Sequence, residues 1–187
     1  AGDGNTAIEK VKSLKPDVVT LDVEMPGKNG LEALREIKKI SSAEIIMLSG
    51  LTTEGSVVTI EALSIGAFDF VEKPSRATLY QMQEMKKNLL DKIRYAWKLK
   101  NKKANMNMSR AATEEKNVHI KASGKIEAIA LGASTGGPKV LYDVITSLPK
   151  DIGVPVFVVQ HMPPGFTKAF ADRLDKNSFL RVVERSE

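Results

Sequence analysis

The chain switches repeatedly between two hydrophobic periods, and that alternation limits its fold more than any other feature. Short β-branched or apolar runs, "DVVTLD", "EIIMLS" and "FDFVEKP", are separated by segments whose apolar residues recur at helical spacing. "NTAIEKVKSLK" puts Ile8, Val11 and Leu14 on one helical face, and "GLEALREIKKI" repeats Leu31, Leu34, Ile37 and Ile40. "TEGSVVTIEALSIGA" reads as a helix capped by Thr53 and stopped by Gly66. A longer amphipathic helix follows, carrying Leu79, Met82, Leu89, Ile93 and Trp97. This order predicts a parallel sheet with helices on both faces. The strands fall near residues 17–22, 44–48 and 68–72. An open α/β sheet usually has about five strands, so this domain reads as incomplete at its N-terminal side.

The alternation breaks at "KLKNKKANMNMSRAATEEKNVHIK", residues 98–121, and then restarts. The break holds much of the net charge of +5 but has no sustained apolar period, so it reads as a solvated linker, with His119 in solvent. It lacks the aromatic platform or recognition helix of a nucleic-acid-binding arm, so no nucleic-acid partner is expected. Beyond it, "IEAIALG" reads as a strand, and "PKVLYDVITSLP" as a helix with Val140, Leu141, Val144, Ile145 and Leu148 inward. "VPVFVVQ" is a second strand, "TKAFADRLDKN" a helix, and "FLRVV" the start of a third strand. So few elements would leave a sheet edge and much apolar surface uncovered, and this domain reads as incomplete at its C-terminal side. The expected division is a first domain over 1–97, a linker over 98–124 and a second domain over 125–187. With no cysteine, neither a disulfide framework nor a thiolate site is available. The sequence shows no secretory signal and no apolar run near the roughly 20 residues that span a bilayer, so a cytoplasmic protein without membrane insertion is expected.

In open α/β sheets, ligands bind beyond the carboxyl ends of the strands. Asp22, Ser49 and Lys73 each end one of the first three strands. Singly, each reads as a polar cap where a strand meets water. Together they form a set suited to phosphoryl transfer: a carboxylate to attack phosphorus, a hydroxyl to donate to a phosphoryl oxygen, and an ammonium to offset charge.

"LGASTGGPKV", residues 131–140, asks whether its serine is a nucleophile or its turn a phosphate cradle. A P-loop requires lysine where Pro138 stands, and a dinucleotide loop requires a glycine pattern that is absent. The residues that fit are Gly132, Ser134 and Gly136, the G-x-S-x-G of a nucleophile elbow. Pro138 suits the first turn of the next helix. A serine needs a base, and His161 ends the following strand in "VVQHMPPGF". Parallel pairing would bring His161 and Ser134 to one sheet edge. Asp172 and Asp175 read as exposed positions on the next helix, so the third acid of a triad is expected outside this chain.

"LDVEMPGKNG", "LSG" and "FDFVEKP" resemble the receiver domain of two-component response regulators, a flavodoxin-like fold. The resemblance implies that Asp22 is the phosphoacceptor, Ser49 the switch hydroxyl, Lys73 the phosphoryl contact and Phe70 the aromatic toggle. It implies a cis Lys73–Pro74 bond. It also implies Mg²⁺ bound by Asp22, the Glu24 carbonyl and an acidic pair that has no counterpart here. A receiver followed by "GASTGGP" and "QHMPPGFT" is similar to the chemotaxis response-regulator protein-glutamate methylesterases. By that resemblance Ser134 forms an acyl-enzyme, His161 shuttles the proton and the Thr135 backbone N–H helps bind the oxyanion. The reaction is hydrolysis of glutamate methyl esters, with deamidation of glutamines, on chemoreceptors for chemotactic adaptation. It needs no cofactor. The partners are the chemoreceptors and a chemotaxis histidine kinase, and the unphosphorylated receiver covers the esterase cleft. The resemblance makes the chain a piece of a longer protein at both ends, nearly inactive alone. The alternatives are a catalytically inactive receiver or interaction fragment, a receiver fused to another serine hydrolase, and a regulator with a DNA-binding output. The last would need helix-turn-helix signals in place of the elbow.

Overall fold

The computed structural model describes residues 1–50, 52–74, 78–109 and 125–185. His119 and most of the linker therefore lie outside the described residues. The first three strands, β1 (Val18–Asp22), β2 (Glu44–Gly50) and β3 (Asp69–Lys73), form a parallel sheet in the order β1-β2-β3. Asp22 pairs with Leu48, and Gly50 with Lys73, so the three strands end at one edge. Helices α1 (Gly4–Leu14), α2 (Gly30–Ile40) and α3 (Thr53–Ile65) pack on one face with Leu21, Ile45, Met47 and Phe70. On the other face α4 (Leu79–Ser109) meets Ile46, Phe68 and Val71. Alternate β2 residues thus feed opposite layers, as the two-residue strand period requires. This is the α/β architecture that the alternating periods predict.

The second sheet pairs β4 (Ile129–Ala133) with β5 (Val156–Gln160) in parallel. Helix α5 (Gly137–Ser147) packs on β4, and α6 (Phe166–Asn177) packs against α5 and α3. Leu141, Ile145, Phe166, Phe170 and Leu174 from these helices share one apolar cluster with α1, α2 and α3. The two halves are therefore packed together. On the strand, Phe157 and Val159 are exposed.

Several expectations change. Thr52, not Thr53, caps α3, its hydroxyl accepting from the Gly55 N–H at 2.8 Å, while Gly66 does stop the helix at φ 115°. Leu14 and Ile40, at the final positions of α1 and α2, are exposed where the helices run past the sheet. On α4, Leu79, Met82 and Trp97 are exposed, and the stripe against the sheet is Met85, Leu89, Ile93, Ala96 and Leu99. The helix continues to Ser109, into the segment without apolar period, because a helix already nucleated by packing adds residues cheaply. Of the apolar stripe expected on α5, Leu141 and Ile145, one turn apart, are buried along with Gly137 and Pro138 of the first turn, and Val140 and Val144 lie exposed beside them. "FLRVV" forms no strand; Asp175 takes the Val182 N–H at 2.7 Å, where a strand would have given it to a neighbour. The Lys73–Pro74 bond is trans. The trans form is favoured by about 0.5–1 kcal/mol, and Lys73 reaches its partner without the cis form.

Gly30 sets the loop after Asp22. Its N–H donates to the Val23 carbonyl at 3.0 Å, and a Cβ there would lie 1.9 Å from the Asp22 carbonyl oxygen. Gly30→Ala is expected to lower the unfolding free energy by about 1–3 kcal/mol through overpacking. Urea unfolding reads this directly, and an unchanged midpoint would show that the Asp22–Gly30 loop yields freely.

Candidate functional site

At the carboxyl edge of the first sheet, Lys73 Nζ lies 2.9 Å from both oxygens of Asp22, and the Glu24 N–H donates to Asp22 Oδ1 at 3.0 Å. Both side chains of the ion pair are about one-third exposed, 34% for Asp22 and 33% for Lys73. Pairs so exposed contribute only about 0–1 kcal/mol, so this one places the lysine more than it stabilises the fold. An incoming anion could claim the lysine at little cost. Ser49 is buried, and its hydroxyl faces the Gly50 and Gly55 carbonyls, each at 3.3 Å, so it is turned toward the start of α3 rather than toward Asp22. Phe70 is also buried, its ring stacked on Phe166 of α6 at 4.5 Å between centroids. Among the described residues, no group of three or more His, Cys, Asp or Glu could hold a metal.

At the second sheet, Ala133 pairs with Gln160, so Ser134 and His161 leave their strands side by side. The His161 N–H donates to the Ala133 carbonyl at 3.3 Å. The Gln160 amide bridges the pair, donating to the Ser134 carbonyl at 3.2 Å and the His161 carbonyl at 3.1 Å. Gly136 turns the chain at φ 70° into α5, and Pro138 sits in the first turn. Only glycine suits position 136, since a Cβ would also lie 2.8 Å from the Phe68 ring. Ser134, Thr135 and His161 line a cavity of about 540 Å³ whose other wall is Glu72, Glu84 and Asn88 of the first domain. Ser134 and His161 share no hydrogen bond among the described residues. Asp172 is exposed and paired with Lys168, and Asp175 is exposed and holds Val182. Neither acid is engaged with His161.

Between the two centres lies Asp69, with its side chain only 2% exposed. Its Oδ1 accepts from Lys92 Nζ at 2.9 Å and from the Phe70 N–H at 2.8 Å. Its Oδ2 accepts from the Gly136 N–H at 2.7 Å, across the two halves. Burial makes this pair different in kind from Asp22–Lys73: removing one partner of a buried pair typically costs about 3–5 kcal/mol.

Residues 1–84 match the family described as "Response regulator receiver domain", and residues 129–187 the family described as "CheB methylesterase". A relative from Clostridium acetobutylicum named protein-glutamate methylesterase/protein-glutamine glutaminase is 46% identical over 186 residues, 99% of this chain and 53% of its own length. The chain belongs to the receiver-linked protein-glutamate methylesterase family. A Pyrococcus horikoshii relative of the same name is 45% identical over 188 residues, 100% of this chain and 51% of its own. The chain thus spans about half the length of the curated relatives it matches. The crystal structure of the response regulator domain of Thermotoga maritima CheB is similar at 49% identity, covering 52% of this chain and 73% of that one, with TM-score 0.47. That of the Thermotoga maritima CheB methylesterase catalytic domain is 48% identical, covering 34% of each chain, with TM-score 0.32.

In this methylesterase-family chain, Asp22 and Lys73 come together as the strand ends predict, and so do Ser134 and His161. Sequence reasoning missed Asp69, Lys92, Gln160 and Phe166. The available signal was Asp69 itself, a carboxylate inside an apolar strand run, which demands a buried partner. Burial also holds the Glu72 carboxyl above its ordinary value. Its ionised form is therefore disfavoured in the fold; the penalty is absent below the ordinary pKa and present in full above the raised one. Glu72→Gln is expected to raise the thermal midpoint at pH 7 and to leave it unchanged at pH 3. An equal gain at both pH values would contradict the assignment to ionisation.

Proposed function

We propose that the parent protein hydrolyses glutamate methyl esters, and deamidates glutamines, on chemoreceptors under control of its receiver. The observation that carries this reading is the shared edge of β4 and β5, where Ser134 and His161 open onto one cavity. Ser134 Oγ attacks the ester carbonyl while His161 takes its proton, then returns it to the departing methanol; water, activated by His161, releases the acid. The Thr135 N–H, in the turn two residues before α5, offers a donor to the oxyanion. The proposed division is a receiver over 1–97, a joining segment over 98–124 whose first part α4 occupies, and an esterase part over 125–187.

Asp22 is the proposed phosphoacceptor, Lys73 the phosphoryl contact, and Ser49 and Phe70 the switch residues, with a chemotaxis histidine kinase as phosphodonor. The Asp22 carboxylate and the Glu24 carbonyl are hard oxygen donors of the kind Mg²⁺ takes, and this ion usually keeps several waters beside one or two carboxylates. The ion would neutralise charge on the incoming phosphoryl group. Among the described residues, no helix is long and apolar enough to cross a membrane. The proposed setting is the cytoplasm, beside the receptors' cytoplasmic helices.

A second reading applies to residues 1–187 alone. Asp172 and Asp175 are both engaged elsewhere, so His161 lacks an acid to orient it among the described residues. Loss of a triad acid can lower turnover by about 10⁴, and the isolated chain is expected to be nearly inactive.

The test uses the chain extended to the relatives' full length. Ser134→Ala is expected to abolish methanol release from methylated receptors and to leave labelling of Asp22 by acetyl phosphate and Mg²⁺ intact. His161→Ala should match it, and the double variant should be little worse, because a catalytic unit loses its function once. Asp22→Asn should remove the label, since an amide is a poor nucleophile. Methanol release surviving Ser134→Ala would refute the nucleophile.

A further inference from the structure

The β4–β5 ladder stops one residue short of the chemistry. Its last pair is Ala133 with Gln160, and Ser134 and His161 lie just beyond it. Past that point the two chains part. Gly136 turns the first into α5, and the second runs into Pro163 and Pro164, which have no N–H to lend to a ladder. The backbone bond beyond the last pair, from the His161 N–H to the Ala133 carbonyl, is long at 3.3 Å. The Gln160 side chain takes over there. Its Nε2 donates to the Ser134 carbonyl at 3.2 Å and to the His161 carbonyl at 3.1 Å, and an amide has two N–H groups to give. We infer that Gln160 is a positioning residue of the esterase reaction: its amide clamps the backbones of Ser134 and His161 at the spacing from which the hydroxyl can pass its proton to the imidazole. This role rests on the esterase reading and concerns the same pair.

The amide can point only one way. With Oε1 in place of Nε2, an acceptor would face two carbonyl acceptors. The clamp also bears on the elbow itself, because the Ser134 carbonyl accepts the Gly137 N–H at 2.7 Å as well and so closes the turn that presents the hydroxyl. Stability alone does not account for the side chain. Its Oε1 is buried with no hydrogen-bond partner among the described residues, which works against the fold, and an apolar chain of the same length would avoid it. Room is also kept for the amide. Gly137 has no positive φ that would call for glycine, yet a Cβ there would lie 2.5 Å from Gln160 Oε1 and 2.7 Å from the Ala133 side chain.

Two near-isosteric replacements remove the donors and keep the bulk. Gln160→Met has no N–H, and Gln160→Glu sets an acceptor against both carbonyls. The test uses the chain extended to the relatives' full length. In each variant kcat for methanol release, per folded molecule, is expected to fall about 10²-fold, the loss that a misplacement of roughly 1 Å can cause. Urea unfolding gives the folded fraction. KM should change little, because the amide is engaged with backbone carbonyls and not with the ester. Labelling of Asp22 by acetyl phosphate and Mg²⁺ should persist. A parent-like kcat per folded molecule in either variant overturns the clamp, and so does a loss of activity that only follows the folded fraction.

Amide exchange in the parent protein needs neither variant nor the esterase assay. The Gln160 side-chain N–H protons should exchange with water about tenfold more slowly than those of the exposed Gln83, as hydrogen bonds of ordinary net strength require. Exchange as fast as that of Gln83 overturns the clamp even if methanol is released. Absence of methanol release with slow Gln160 exchange overturns the esterase reading and leaves the clamp between the two strand ends standing.

Discussion

The period of strand β3 is the constraint on which the rest depends. Five consecutive residues serve five surroundings. Asp69 meets the elbow, Phe70 meets α6, Val71 enters the α4 side of the core, Glu72 lines the cavity and Lys73 holds Asp22. A strand presents successive side chains to opposite faces, so a slip of one residue would exchange every one of these placements. The parallel pairing with β2, from Ile46–Asp69 to Gly50–Lys73, fixes that register.

The two ion pairs along β3 differ in what they can do. Asp22–Lys73 is partly wet, worth little to stability, and free to exchange partners. Asp69–Lys92 is dry and expensive to break. Aromatic stacking between Phe70 and Phe166 adds roughly 0.5–1.5 kcal/mol beyond the area it buries. Together with the apolar cluster that α3 shares with α5 and α6, these contacts make the junction between halves a core rather than a loose seam.

Fold class and the strand-end residues were legible in the sequence because both follow from local period: helical and strand spacing are written in neighbouring residues. Ser134 and His161 were legible for the same reason, since glycines force the elbow and parallel strands align their ends. What could not be read was contact between distant segments. Nothing around Phe166 names Phe70 as its partner, and nothing around Gly136 calls for Asp69. Helix faces were read too broadly, as with Val140 and Trp97, because period gives a stripe but not which part of it meets the sheet. "FLRVV" has strand composition, but a strand exists only where a neighbour accepts its N–H groups.

The exposed face of β5 bears on how this chain behaves in concentrated solution. Phe157, Val158 and Val159 are consecutive in a strand that pairs only with β4 among the described residues, and Phe157 and Val159 are 58% and 73% exposed. An open apolar strand edge is a template for pairing with another chain. Residues 1–187 handled alone would therefore self-associate through β5, and the loss would grow with concentration rather than with temperature.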